Sequence, residues 1–96
     1  MPLADKIHQH HKGIMRLAAV HGATKVSLFG SVARGTDTES SDVDLLVEFE
    51  DGRSLFDLIR LKDELEALLD RPVHIVTERA VHPAIKDNIV RESLKL

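Results

Sequence analysis

Residues 43–49, Val-Asp-Leu-Leu-Val-Glu-Phe, alternate as an extended strand does. Side chains in a strand change face at every residue. Val43, Leu45, Val47 and Phe49 therefore fall on one face, and Asp44, Leu46 and Glu48 on the other. Asp51-Gly52 supplies the turn that ends this strand.

The rest of the chain arranges itself around that strand. Ile7, His11, Ile14, Met15 and Ala18 recur at helical spacing, which predicts an amphipathic helix over about 4–20 that ends at His21-Gly22. Lys25-Val26-Ser27-Leu28-Phe29 reads as a short strand closed by Gly30, and Val32-Ala33-Arg34 as a brief helical turn. Residues 35–41, Gly-Thr-Asp-Thr-Glu-Ser-Ser, are polar and turn-rich and read as a loop. Ser54 is a helix cap, with Asp57 in a capping-box position, and a helix follows over 54–69. Its apolar positions are Leu55, Leu58, Ile59, Leu65 and Leu69, with Lys62 as the polar exception. Pro72 forbids continuation, Val73-His74-Ile75-Val76 is a third strand, and Pro83 suits the first turn of a last helix over 83–92. The sum is one small α/β (α+β) domain spanning 1–96, with a single compact sheet.

Composition narrows the function. The chain has 96 residues, with 43% apolar and 30% charged, but only 3% aromatic and no Trp or Tyr. The core must be aliphatic, and base stacking on a single strand of nucleic acid lacks its usual aromatic platform. A net charge of −3 argues against general nucleic-acid binding, which needs surplus Lys and Arg. The absence of cysteine excludes disulfides and thiolate metal sites. No apolar run approaches a membrane span, and the N-terminal residues lack a signal-peptide core, so the expected location is cytoplasmic.

The chemistry gathers at two short motifs. Asp42 and Asp44 stand two residues apart at a strand entrance, which puts both side chains on one face with Cα atoms ~6.5–7 Å apart. Two carboxylates so placed can converge on a hard cation such as Mg²⁺, which takes oxygen ligands and keeps positions for water and phosphate. Gly30-Ser31 follows the preceding strand. Glycine lets the backbone approach a phosphate closely, backbone N–H groups of the next turn can bind its oxygens, and the Ser31 hydroxyl adds a donor. Arg34, one turn later, can bring a positive charge to the phosphates or to a second substrate, or else pair with Glu39 or Asp37 on the surface.

Together, Gly30-Ser31, ten residues and Asp42-Val43-Asp44 resemble the signature of the polymerase-β-like nucleotidyltransferases, and in particular the minimal nucleotidyltransferases, the MntA-type antitoxins. The resemblance covers nearly the whole chain, including the tail from His82-Pro83-Ala84-Ile85 to Leu96. It implies a short mixed sheet flanked by helices. It further implies transfer of AMP from ATP, or of a monophosphate from another nucleoside triphosphate, to an acceptor hydroxyl with release of pyrophosphate. For the MntA-type members the implied acceptor is a tyrosine of a helical HEPN-type toxin. Carried over, Gly30 and Ser31 hold the triphosphate, with Arg34 beside it. Asp42 and Asp44 ligate two magnesium ions, which stabilise the attacking and leaving oxygens.

One position departs from the family. Many active relatives carry a third carboxylate on a later strand, and here His74 stands in its place. Asp70 and Glu78 are each four residues away, ~13 Å along a strand. The imidazole leaves three readings open: a general base, a ligand favouring a softer ion such as Mn²⁺, or a site that binds nucleotide yet turns over poorly. A strand-face or core histidine is the structural alternative.

His8-Gln9-His10-His11 is weighed as a metal site and set aside: His8 and His11 share a helix face, with His11 on its apolar side, but no acid or cysteine completes a ligand set. The apolar positions of 54–69 read as core. Two functions compete for the chain. One is an adenylyltransferase acting on a protein partner; the other is an inactive nucleotide-binding antitoxin that neutralises the partner by contact. Transfer to a small molecule such as an aminoglycoside ranks last, because no acceptor domain is present. Assembly into a homo-oligomer is left open.

Overall fold

The computed structural model describes residues 3–35, 42–77 and 79–96. Four strands, β1 (Ala23–Phe29), β2 (Val43–Phe49), β3 (Val73–Thr77) and β4 (Leu94–Lys95), form one sheet in the order β3-β2-β1-β4. β1 runs antiparallel to β2 and β4, while β2 and β3 are parallel, so the sheet is mixed. Parallel neighbours require a crossover, and helix α4 (Leu55–Leu69) supplies it. The remaining helices are α1 (Leu3–Gln9), α2 (His11–Val20), the single turn α3 (Gly30–Arg34) and α5 (Pro83–Glu92).

The inward row of the alternating strand is as expected: Val43, Leu45 and Val47 are essentially inaccessible. They join Val26 and Leu28 of β1 and Val73 of β3 against Ile14 and Ala18 of α2 and Leu61, Leu65 and Leu69 of α4. The opposite row is less polar than its residues suggest. Leu46 is also buried, beside Ser27 of β1 and Val76 of β3 in the register.

Local signals set several boundaries. Ser54 accepts from the Phe56 N–H while Asp57 accepts from the Ser54 N–H, so the capping box forms. The Val73 N–H, at the start of β3, donates to Glu66 on α4 at 2.9 Å, which ties the crossover to the strand it feeds. His21, buried beyond the end of α2, contacts Glu64 of α4 through Nε2.

Four expectations need correction. The first helix is not continuous over 4–20: it breaks at His10, with α1 and α2 on either side. Ile7 and Ile14 are both buried, while His11 is exposed instead of apolar-facing. The apolar positions of 54–69 are not all core. The buried row runs through Leu61, Leu65 and Leu69, one position away from Lys62, and leaves Leu55 and Ile59 exposed. β1 starts at Ala23, two residues early, across an irregularity between Ala23 and Lys25. The sequence signals do not predict strand β4. The loop expected over 35–41 lies outside the described residues beyond Gly35. Among the described residues, no helix is long and apolar enough to cross a membrane.

Candidate active site

The candidate site lies where β1 ends and β2 begins. In the register of the sheet, Asp44 faces Phe29 of β1 on one side and His74 of β3 on the other. Gly30 follows Phe29, so the antiparallel pairing delivers the glycine to the aspartate. Gly30 adopts φ +77°, a left-handed conformation that favours glycine. A Cβ on Gly30 would collide with the Asp44 carboxylate oxygen and sit 3.2 Å from its Cγ. Glycine is therefore required twice over, by backbone conformation and by the space Asp44 occupies.

Asp42 lies just before β2 and Asp44 just inside it. The His74 imidazole Nε2 is 2.9 Å from the Asp42 carboxylate, with both side chains substantially exposed. His74 is thus a strand-face residue and not a core one. Burial is the main influence on Asp44 and pushes its carboxyl above the ordinary carboxylate value. The His74 charge opposes that shift, Asp42 reinforces it and Arg34 opposes it.

Ser31 is half-buried in the first turn of α3, and Val32 anchors that turn in the core. Gly35, at φ +74°, ends it. Arg34 does have a surface partner, but a different one from those expected: its Nη1 is 3.3 Å from Glu92 Oε2 at the end of α5. Asp37 and Glu39 lie outside the described residues, as does Glu78. Asp70 is exposed at the end of α4.

The structure therefore brings Gly30, Asp42, Asp44 and His74 together, with Ser31 and Arg34 on the turn that Gly30 opens. The carboxylate oxygens of Asp42 and Asp44 are hard donors that suit magnesium chemistry. Among the described residues, no group of three or more His, Cys, Asp or Glu side chains is gathered tightly enough to hold a metal by itself. Glu92 is the member of this neighbourhood that the sequence did not reveal. It is 58 positions from Arg34, a distance at which no periodicity signals a contact.

A four-stranded mixed sheet flanked by helices is the architecture of the minimal nucleotidyltransferases. The chain belongs to the nucleotidyltransferase domain family, whose pattern it matches over residues 12–96. It is 43% identical to a provisionally named protein adenylyltransferase of Methanocaldococcus jannaschii, over 92% of this chain and 95% of that one. It is 41% identical to the protein adenylyltransferase MntA of Thermococcus cleftensis, over 74% and 72% of the respective chains. A solved structure of a provisionally named minimal nucleotidyltransferase superposes with a TM-score of 0.90 at 46% identity, covering 100% of this chain and 97% of that one. A toxin-antitoxin structure with AMP-PNP shares the fold at a TM-score of 0.75 and 24% identity, covering 88% and 69%.

Proposed function

We propose that the protein, working as one minimal domain, transfers AMP from ATP to a hydroxyl of a protein partner, and that this transfer makes it the antitoxin of a helical HEPN-type toxin. The acceptor we assign is a tyrosine of that toxin. The observation that carries this reading is the carboxylate pair Asp42 and Asp44 at the Gly30-Ser31 turn, with Asp44 pressed against a glycine that tolerates no side chain. The protein adenylyltransferases among the relatives support the choice of AMP and of a protein acceptor. The toxin-antitoxin neighbour supports the partner class.

In this reaction the acceptor oxygen attacks the α-phosphorus of ATP. The bond to the bridging oxygen of the β-phosphate breaks, pyrophosphate leaves, and the acceptor proton passes to a base. Gly30 and Ser31 would seat the triphosphate, and Arg34 would offset part of its charge. Asp42 and Asp44 would hold magnesium, which when bound neutralises phosphate charge and stabilises the attacking and leaving oxygens. His74, beside Asp42, would accept the hydroxyl proton.

The test is incubation with labelled ATP, Mg²⁺ and the cognate toxin. Label on the toxin, lost in Asp42→Asn and Asp44→Asn, is the expected result. A second reading follows from the His74–Asp42 pair, in which a nitrogen base engages one of the two carboxylates. On that reading the protein binds nucleotide but neutralises the toxin by contact. Toxin inhibition that survives both aspartate substitutions would favour it.

A further inference from the structure

Arg34 and Glu92 join the turn that opens at Gly30 to the far end of the chain. We infer that Glu92 is a positioning residue for the nucleotide site: it holds the Arg34 guanidinium in the orientation from which it meets the triphosphate. This rests on the reading of Gly30, Ser31 and Arg34 as the nucleotide-binding turn.

The backbone of Arg34 is already fixed. α3 is a single turn, anchored by the buried Val32 and closed by Gly35 in the left-handed region. The side chain is a different matter, because a free arginine on the surface samples many rotamers and must surrender them when it binds phosphate. Glu92 restricts that sampling in advance. It sits in the last turn of α5, a helix that packs on α3, and its Oε2 lies 3.3 Å from Arg34 Nη1. Both side chains are half exposed, so the pair adds little to fold stability. Its effect belongs instead to where the guanidinium points. The guanidinium is near enough to the carboxylates for its charge to act on Asp44. A monodentate pair also leaves other N–H donors of the fork available to phosphate oxygens, so Glu92 can steer Arg34 without consuming it.

The experiment is a double-mutant cycle on the full chain, read by calorimetric titration with ATP and Mg²⁺. Glu92→Gln is expected to weaken ATP binding about threefold to tenfold while the melting temperature stays within about 2 °C of wild type. Glu92→Asp, which keeps the charge, is expected to recover part of the loss. In an Arg34→Ala background the Glu92→Gln change is expected to have no further effect, because its target is gone. Unchanged or tighter binding in Glu92→Gln overturns the inference, as does an equal loss in the Arg34→Ala background. Wild-type protein that fails to bind ATP overturns the nucleotide-site reading itself, a result distinguishable from either.

Discussion

The Asp44 carboxylate lies against the Cα of Gly30 in the space where any other residue would carry its Cβ. Two strands paired in register thus press a candidate catalytic acid onto the turn that follows the first of them.

Gly30→Ala should lose both stability and nucleotide binding. It imposes a positive φ on an L-residue and a collision with Asp44, together a cost of about 2–4 kcal/mol. Gly35→Ala is the control, since it shares the positive φ but its Cβ would meet no atom of the described residues within 4 Å, and it should cost about 1 kcal/mol. Denaturant melts of both variants, with ATP titrations alongside, would check the contrast. Equal losses would show that the Asp44 contact is unimportant.

Asp44→Asn should abolish transfer yet stabilise the fold. The folded-state pKa of Asp44 is raised, so folding favours the protonated form, and the ionised carboxylate at neutral pH costs stability. A neutral amide removes that cost. In the presence of a chelator the melting temperature at pH 7 should rise, and the gain should shrink as pH falls through the carboxylate range. A fall in melting temperature at pH 7 would contradict the burial argument.

Glu66 has the opposite sign. Its carboxyl is held below the ordinary value first by the Val73 N–H, then by Lys62. Its contribution is present above the unfolded-state carboxylate pKa and is lost as pH falls through the lower, folded value. Glu66→Gln should therefore lower stability at pH 7 and lose less than wild type on acidification. Parallel thermal melts between pH 7 and pH 3 would resolve this.

His74→Asp would place a third carboxylate next to Asp42 and opposite Asp44 in the sheet register. Transfer supported by magnesium should rise, by roughly tenfold if the third ligand limits the rate, a factor within the range that general-base and ligand effects command. Equal rates for His74→Asp and wild type would show that the imidazole suffices.

Leu61→Ala should cost about 2–5 kcal/mol, because the side chain is wholly inaccessible. Leu55→Ala, at 68% exposure on the same helix, should stay within about 0.5 kcal/mol of wild type. Urea midpoints measured side by side would decide it.

These residues also show what a reader of the sequence can see. Val43 to Phe49 announce a strand because alternation is a local property, and Ser54 with Asp57 announce a cap for the same reason. The Gly30-Ser31 and Asp42-x-Asp44 motifs are legible through their spacing, and the structure brings them side by side. The His10 bend is different. No proline or glycine occupies that position, so nothing local in the sequence marks where the helix breaks or that His11 faces outward. Leu55 and Leu61 have the same chemistry, and only the arrangement of α4 on the sheet separates exposed from buried. Strand β4 has two residues, too few for any periodicity, and Glu92 meets Arg34 through a tertiary contact that no window along the chain contains.

The brevity of β4 has a consequence for handling the protein. Leu94 and Lys95 pair with Leu28 and Ser27, and the Leu96 N–H reaches the Val26 carbonyl. These three residues cover one side of β1, the strand that ends at Gly30. Removing them would bare a row of unpaired backbone groups flanked by apolar side chains, the kind of edge on which a second chain adds its own strand. A truncation at Ser93 would thus invite aggregation beginning next to the turn at Gly30. Fusions and purification tags are better attached where they leave 94–96 in place.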